Sequence, residues 1–203
     1  MRELDQALAD IETIRHQIAR QDHFCGYGPA TLAATGFLAA AVALAQSISS
    51  GAVQNPFAYF EAWIATAFVS ALLVGAEAIM RSQHLHSKLA DAKVFAAAVD
   101  FVPAGVAGTA FFIALIFYEP GAMWMLPGVW QMMLALGFFA ASRSLRRAMI
   151  FVGGWYLATG FATLAAASAS HALSPWAMGL PFAVGQILAA ALLRRNLEHG
   201  DER

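Results

Sequence analysis

Residues 148–168 read AMIFVGGWYLATGFATLAAAS, a run of 21 residues without one charged side chain. At 1.5 Å rise per residue a helix of that length is about 31 Å long, enough to cross the roughly 30 Å hydrocarbon core of a bilayer. Its apolar residues do not alternate as the strands of a membrane barrel do. In lipid each backbone polar group must be bonded within its own segment, and a helix does this. Arg143, Arg146 and Arg147 bracket the run on one side, and 169–174, free of Lys and Arg, on the other.

Working outward from it, five similar blocks appear at about 30–49, 57–80, 94–118, 122–142 and 175–193. Hydrophobic residues make up 60% of the chain and charged ones 12%. A soluble domain carries roughly 25% charged residues, so this chain lacks the material for a wetted surface. The connections between blocks are short and leave no room for a separate folded domain. Residues 1–29 are polar and amphipathic, without the apolar core of a secretory signal.

Charge placement sets the orientation. All twelve Lys and Arg residues fall in the N-terminal segment, the 2–3 connection, the 4–5 connection or the C-terminal tail. The connections near 50–56, 119–121 and 169–174 hold none. Under the positive-inside rule this pattern places both chain ends in the cytoplasm and requires an even number of spans. The expected fold is all-α: a polytopic six-helix transmembrane bundle over 30–195. An amphipathic cytoplasmic helix at 1–21 and a linker at 22–29 precede it, and a cytoplasmic tail at 196–203 follows.

The segment 2–20 places Leu4, Ala7, Leu8, Ile11, Ile14 and Ile18 on one helical face. Its polar face lacks the Lys/Arg excess of a lipid-surface helix, which favours packing on protein: its own bundle, a second copy or a cytosolic partner. The string CGYG at 25–28 has a potassium-filter look but no pore helix ahead of it, which removes that reading. Asn55-Pro56 and Ser174-Pro175 each read as a helix N-cap followed by proline at the first helical position. Tyr59, Trp63, Tyr118, Trp124 and Trp176 cluster near the same end, as an interfacial aromatic belt would.

A faint repeat joins spans 4 and 6. Each opens on a proline (Pro120, Pro175), carries a second proline after a leucine (Pro127, Pro181), and has a glutamine 11 residues after the first (Gln131, Gln186). Each glutamine would lie roughly 16 Å below the outer start of its helix, near the midplane. Hairpins 3–4 and 5–6 are then either parallel copies, as in some transporters, or a chance agreement of Ala/Leu/Gly-rich helices. The strings GYGPATLAATG (26–36), WMLPGVWQ (124–131), GGWYLATG (153–160) and LSPWAMGLPFAVGQ (173–186) resemble those of a family of small bacterial inner-membrane proteins. The resemblance implies a six-span architecture in a bacterial inner membrane, and it carries no activity and no functional residue.

Ionisable groups inside a membrane are costly and default to functional hypotheses. Glu61 lies about 7 Å into span 2. It is either a proton or cation site facing the bundle or a carboxylate that reaches for the interface. Glu77 precedes Arg81 by four residues, a favourable helical pair. Asp100 sits three residues before Pro103, which denies the Val99 carbonyl its helical partner. That is a cation or proton site, or a pair with Lys93, Arg143 or Arg146. Pro127 and Pro181 likewise release the carbonyls of Met123 and Ala177. Two interrupted helices with midplane amides suit a path for a small polar solute; intramembrane amides equally serve to hold helices together. Small residues at Gly105, Gly108, Gly153, Gly154 and Gly160 permit close helix contact.

His23 and Cys25 with His84 and His86 are the one set with metal-ligand chemistry, at the cytoplasmic end, although an i, i+2 pair diverges on a helix. No metal or other cofactor is expected. The single cysteine excludes an intrachain disulfide framework, and the net charge of −1 gives no nucleic-acid signal. No nucleotide-binding, metalloprotease or nucleophile-elbow motif is present, which weighs against an enzyme without removing it. Three functions remain. The foremost is a small channel or transporter for an ion or small polar solute, lined by Glu61, Asp100, Gln131 and Gln186 and able to oligomerise. The second is a membrane regulator or assembly partner docking through residues 2–20. The third is a membrane enzyme or metal-binding protein.

Overall fold

The computed structural model describes residues 28–49, 55–85, 88–142 and 147–198, with side chains outside 81–98 and 195–198. The expected amphipathic helix at 1–21, most of the 22–29 linker and the tail beyond 198 lie outside the described residues, as do the side chains of His23, Cys25, His84 and His86.

Six α-helices run through the described residues: α1 (Pro29–Ile48), α2 (Pro56–Leu85), α3 (Lys88–Tyr118), α4 (Leu126–Ala141), α5 (Met149–Ala167) and α6 (Pro175–Glu198). All six spans are long and apolar enough to cross a membrane, the fourth counted together with a 3-10 turn, Pro120–Met125, that leads into α4. No strand occurs among the described residues. The helix starts are set by proline: Pro29 follows Gly28, and Pro56 follows Asn55, whose Oδ1 accepts the Phe57 N–H at 3.0 Å. Proline costs nothing there because the first N–H groups of a helix have no internal partner. α5 ends differently. Past its C-cap, Ser168, the chain turns, and His171 takes a left-handed backbone (φ 51°) with its N–H returning to the Ala167 carbonyl at 2.8 Å.

Helices adjacent in sequence pack side by side, and α1 closes the ring against α6; the broadest contacts are α1 with α6 and α4 with α5. Lipid is as apolar as leucine, so such contacts rest on close packing and bonded polar groups rather than on expulsion of water. The α4–α5 crossing shows how. A Cβ on Gly160 would lie 2.8 Å from the Gly128 carbonyl oxygen, and one on Gly128 would lie 2.7 Å from that of Gly160. Across α1 and α6, a Cβ on Gly36 would meet the Ala183 carbonyl at 3.0 Å, and Gly179 packs onto Ala43. Of the glycines expected to permit contact, Gly153 and Gly160 do so, whereas Gly105 and Gly154 face open space.

Two apolar clusters fill the ring. The one toward the Lys/Arg-free end holds Tyr59, Phe60, Trp63, Leu115, Met123, Leu126 and Met178. The one toward the basic end holds Phe138, Met149, Val152, Tyr156, Ala189 and Leu193. Phe182 joins them, its ring 6.5 Å from Trp63 and 5.4 Å from Tyr156. Outward faces carry Phe37, Phe68, Phe117, Phe151 and Phe161, all exposed and apolar as contact with lipid demands. Tyr59 and Trp63 belong to this core and not to an interfacial belt. Of the five expected belt residues, Tyr118 and Trp176 are exposed, and Trp124 stacks on His171 at 4.6 Å.

Candidate functional site: buried polar groups between α1, α2, α4, α5 and α6

In an apolar interior, polar side chains become informative because each must find a partner or bear the cost of desolvation. Gln131 is fully buried on α4. Its Nε2 donates to the Ala177 carbonyl of α6 at 2.8 Å and to its own helix at the Pro127 carbonyl at 3.0 Å, with the Thr163 hydroxyl of α5 at 3.4 Å. Ala177 is the residue whose carbonyl Pro181 leaves without a helical N–H. Gln131 therefore supplies from a neighbouring helix the donor that proline removed. The carbonyl freed by Pro127 is handled locally: the Leu126 N–H reaches the Met123 oxygen in the tighter 3-10 pattern.

These two prolines do different work. Pro181 lies inside α6, which runs through it, whereas Pro127 stands in the first turn of α4 behind the 3-10 lead-in. The glutamines differ as well. Gln131 engages α6 at Ala177, nine residues before Gln186, or about 14 Å of helical rise. The two amides thus act at separate levels of α6 and do not converge.

Gln186 lies where α1, α5 and α6 meet: its Cβ faces Gly36, and its side chain stands beside the Tyr156 hydroxyl, which rests on the backbone of Gly185. Tyr156 is completely buried. Its hydroxyl and Gln186 Oε1 are both enclosed and are each other's hydrogen-bond partner, the hydroxyl donating to the amide oxygen in loose geometry. Gln131 Oε1 and Gln46 Oε1 are enclosed without any partner, whereas Trp63 Nε1 stands beside the Tyr59 hydroxyl. A native interior carries few such atoms, and each one asks for a reason. Nearby donors are committed to backbone: Trp155 Nε1 to the Pro181 carbonyl at 3.0 Å and Trp130 Nε1 to that of Gly108 at 3.1 Å. Toward the Lys/Arg-free end, Gln46 Nε2 donates to the Tyr59 carbonyl at 3.1 Å, and the Tyr59 hydroxyl to that of Ser174 at 2.9 Å.

The carboxylates sit elsewhere. Glu61 is exposed on α2, turned away from the interior that its neighbours Phe60 and Trp63 occupy. Asp100 is half-buried. It stands 18 residues, about 27 Å, before the end of α3 at Tyr118, so it lies at the basic boundary of a roughly 30 Å core. Pro103, three residues on, shares that end. Glu77 Oε2 accepts the Gly28 N–H at 3.1 Å and so ties α2 to the start of α1; the Arg81 side chain lies outside the described residues. The structure therefore does not gather Glu61, Asp100, Gln131 and Gln186 into one cluster. Tyr156 is the residue that sequence reasoning missed: a tyrosine inside an apolar run carries no signal until its hydroxyl is seen beside an amide. Among the described residues no group of three or more His, Cys, Asp or Glu could hold a metal ion.

No protein-family model, curated protein or solved structure matches the chain. The functional reading therefore rests on the geometry above.

Proposed function

We propose that this protein is a small channel or transporter for an ion or small polar solute, acting in a bacterial inner membrane with its basic end toward the cytoplasm. The observation that carries the reading is the set of polar side chains enclosed inside the ring, among them the amides of Gln46 and Gln131, whose oxygens have no hydrogen-bond partner. Enclosed polar atoms left open are destabilising unless something else meets them, and a passing solute would. The orientation is supported by the confinement of all Lys and Arg to one end.

Reconstitution into liposomes tests this. Purified protein should accelerate the equilibration of at least one substance among protons, sodium, potassium and small neutral solutes above the rate of protein-free vesicles. Folded protein that accelerates none of them refutes the proposal.

A further inference from the structure

Helices α2 and α3 are longer than a bilayer requires. They hold 30 and 31 residues, about 45 Å each, against a hydrocarbon core of roughly 30 Å. Their apolar spans stop at Met80 and start at Val99, whereas the helices run on to Leu85 and back to Lys88. Both therefore continue past the basic boundary as two stems. On α3, Val99, Val102 and Val106 form one exposed line at 3–4 spacing. Lipid covers Val102 and Val106. The same helical register carries the line down the stem through Phe95 and Ala92, among Lys88, Asp91 and Lys93. An apolar line that leaves the hydrocarbon asks for a cover other than lipid.

Position, pattern and charge all point to residues 2–20 of the same chain. The Gly28 N–H is bonded to Glu77 Oε2 at 3.1 Å, close to the point where the apolar span of α2 ends at Met80. The chain ahead of Gly28 therefore starts beside the α2 stem. Residues 21–27 can span about 24 Å, more than the roughly 8–10 Å between packed helices, so the α3 stem is within reach. Leu4, Leu8, Ile11, Ile14 and Ile18 repeat at the same 3–4 spacing as the α3 line, which suits side-by-side packing of two helices. Segment 2–20 carries four acidic residues against three basic ones, whereas 81–98 carries three basic against one acidic. Opposite net charges favour this pairing, and the segment lacks the Lys/Arg excess of a lipid-surface helix. We propose that residues 2–20 dock as a helix along the α2–α3 stems, their apolar stripe over Phe95 and Val99, as the third helix of a small cytoplasmic cap. This docking stands apart from the transport reading and does not depend on it.

Disulfide trapping of the full chain in native membranes tests this, in a Cys25→Ser background. Phe95→Cys or Val99→Cys is combined in turn with Leu8→Cys, Ile11→Cys, Ile14→Cys and Ile18→Cys, and the membranes are mildly oxidised. The expected result is a cross-link within one chain for at least one pair, monomeric on a denaturing gel and identified by mass spectrometry of the linked peptides. Thr13→Cys, on the opposite face of the segment, should not be trapped. Hydrogen exchange of the purified full chain gives a second measurement. The amides of 2–20 should exchange slowly, and roughly tenfold or more faster in Ile11→Asp, which sets a charge where an apolar side chain was covered. That substitution lies outside the spans, and circular dichroism confirms that the bundle is folded. Cross-links formed only between two chains assign the cover to a second copy and overturn the proposal. It is equally overturned if no pair is trapped, if Thr13→Cys is trapped as readily as Ile11→Cys, or if the wild-type amides of 2–20 exchange freely.

Discussion

If Gln131 replaces the N–H that Pro181 lacks, the two residues must be coupled, and a double-mutant cycle measures the coupling. Gln131→Leu removes the 2.8 Å bond to Ala177 and the 3.0 Å bond to Pro127 and leaves the Ala177 carbonyl without a donor. Hydrogen bonds between membrane helices are worth about 0.6–2 kcal/mol, and an orphaned buried acceptor costs about 1–3 kcal/mol. The same substitution also removes the unpartnered Gln131 Oε1, which returns part of that cost. The net loss should be about 1–2 kcal/mol. Pro181→Ala supplies an N–H at position 181, four residues after Ala177, so the helix can bond that carbonyl itself. In that background Gln131→Leu should cost less by about 0.6–2 kcal/mol, an interaction term above the roughly 0.3–0.5 kcal/mol scatter of independent sites. Reversible unfolding of the four proteins in mixed micelles gives all the required free energies. If the cost of Gln131→Leu is the same with proline and with alanine at 181, the substitution account of Gln131 is wrong.

Other expectations follow from the packing. Gly160→Ala places a methyl group 2.8 Å from the Gly128 carbonyl and should destabilise by about 1–3 kcal/mol. Gly105→Ala and Gly154→Ala, which meet nothing within 4 Å, should be neutral or gain up to about 1 kcal/mol in helix propensity; thermal unfolding in detergent compares them. Beyond α5, His171→Val should cost about 1–2 kcal/mol more than His171→Gly, because both lose the Trp124 stack but only the β-branched residue resists the left-handed backbone. Orientation is checked by labelling whole cells with a membrane-impermeant maleimide: in a Cys25→Ser background, Ser170→Cys should react, whereas native Cys25 should not.

The span positions were legible because the apolar blocks are long and the short links are polar; the observed helices begin and end close to the expected limits. The 3-10 turn before α4 was not legible, since PGAMWMLP reads as continuous apolar sequence whether it coils tightly or not. Nor was the inner face of each helix. In a soluble helix the polar side marks the surface, but here Phe60, Glu61 and Trp63 stand within one turn and only packing turns Glu61 outward. A carboxylate in an apolar run looked like a lining residue for that reason. The glutamines and prolines were recognised as unusual, and the carbonyl released by Pro181 was identified. What sequence could not supply was the donor, because the match between Gln131 and Ala177 exists only once α4 and α6 lie together. Tyr156 was invisible for the same reason.

The pairing of α1 with α6 bears on how the chain assembles. The face of α1 that carries Thr35, Gly36, Ala39, Ala43 and Gln46 is buried, and most of it is covered by a helix that starts at Pro175. At ribosomal rates of about 5–20 residues per second, roughly 6–25 s separate the completion of one from the beginning of the other. Through that interval α1 sits in the bilayer with a hydroxyl, an amide and a row of small residues facing lipid or the insertion machinery. A nascent chain halted before α6 should therefore be the form most readily recognised by membrane quality control.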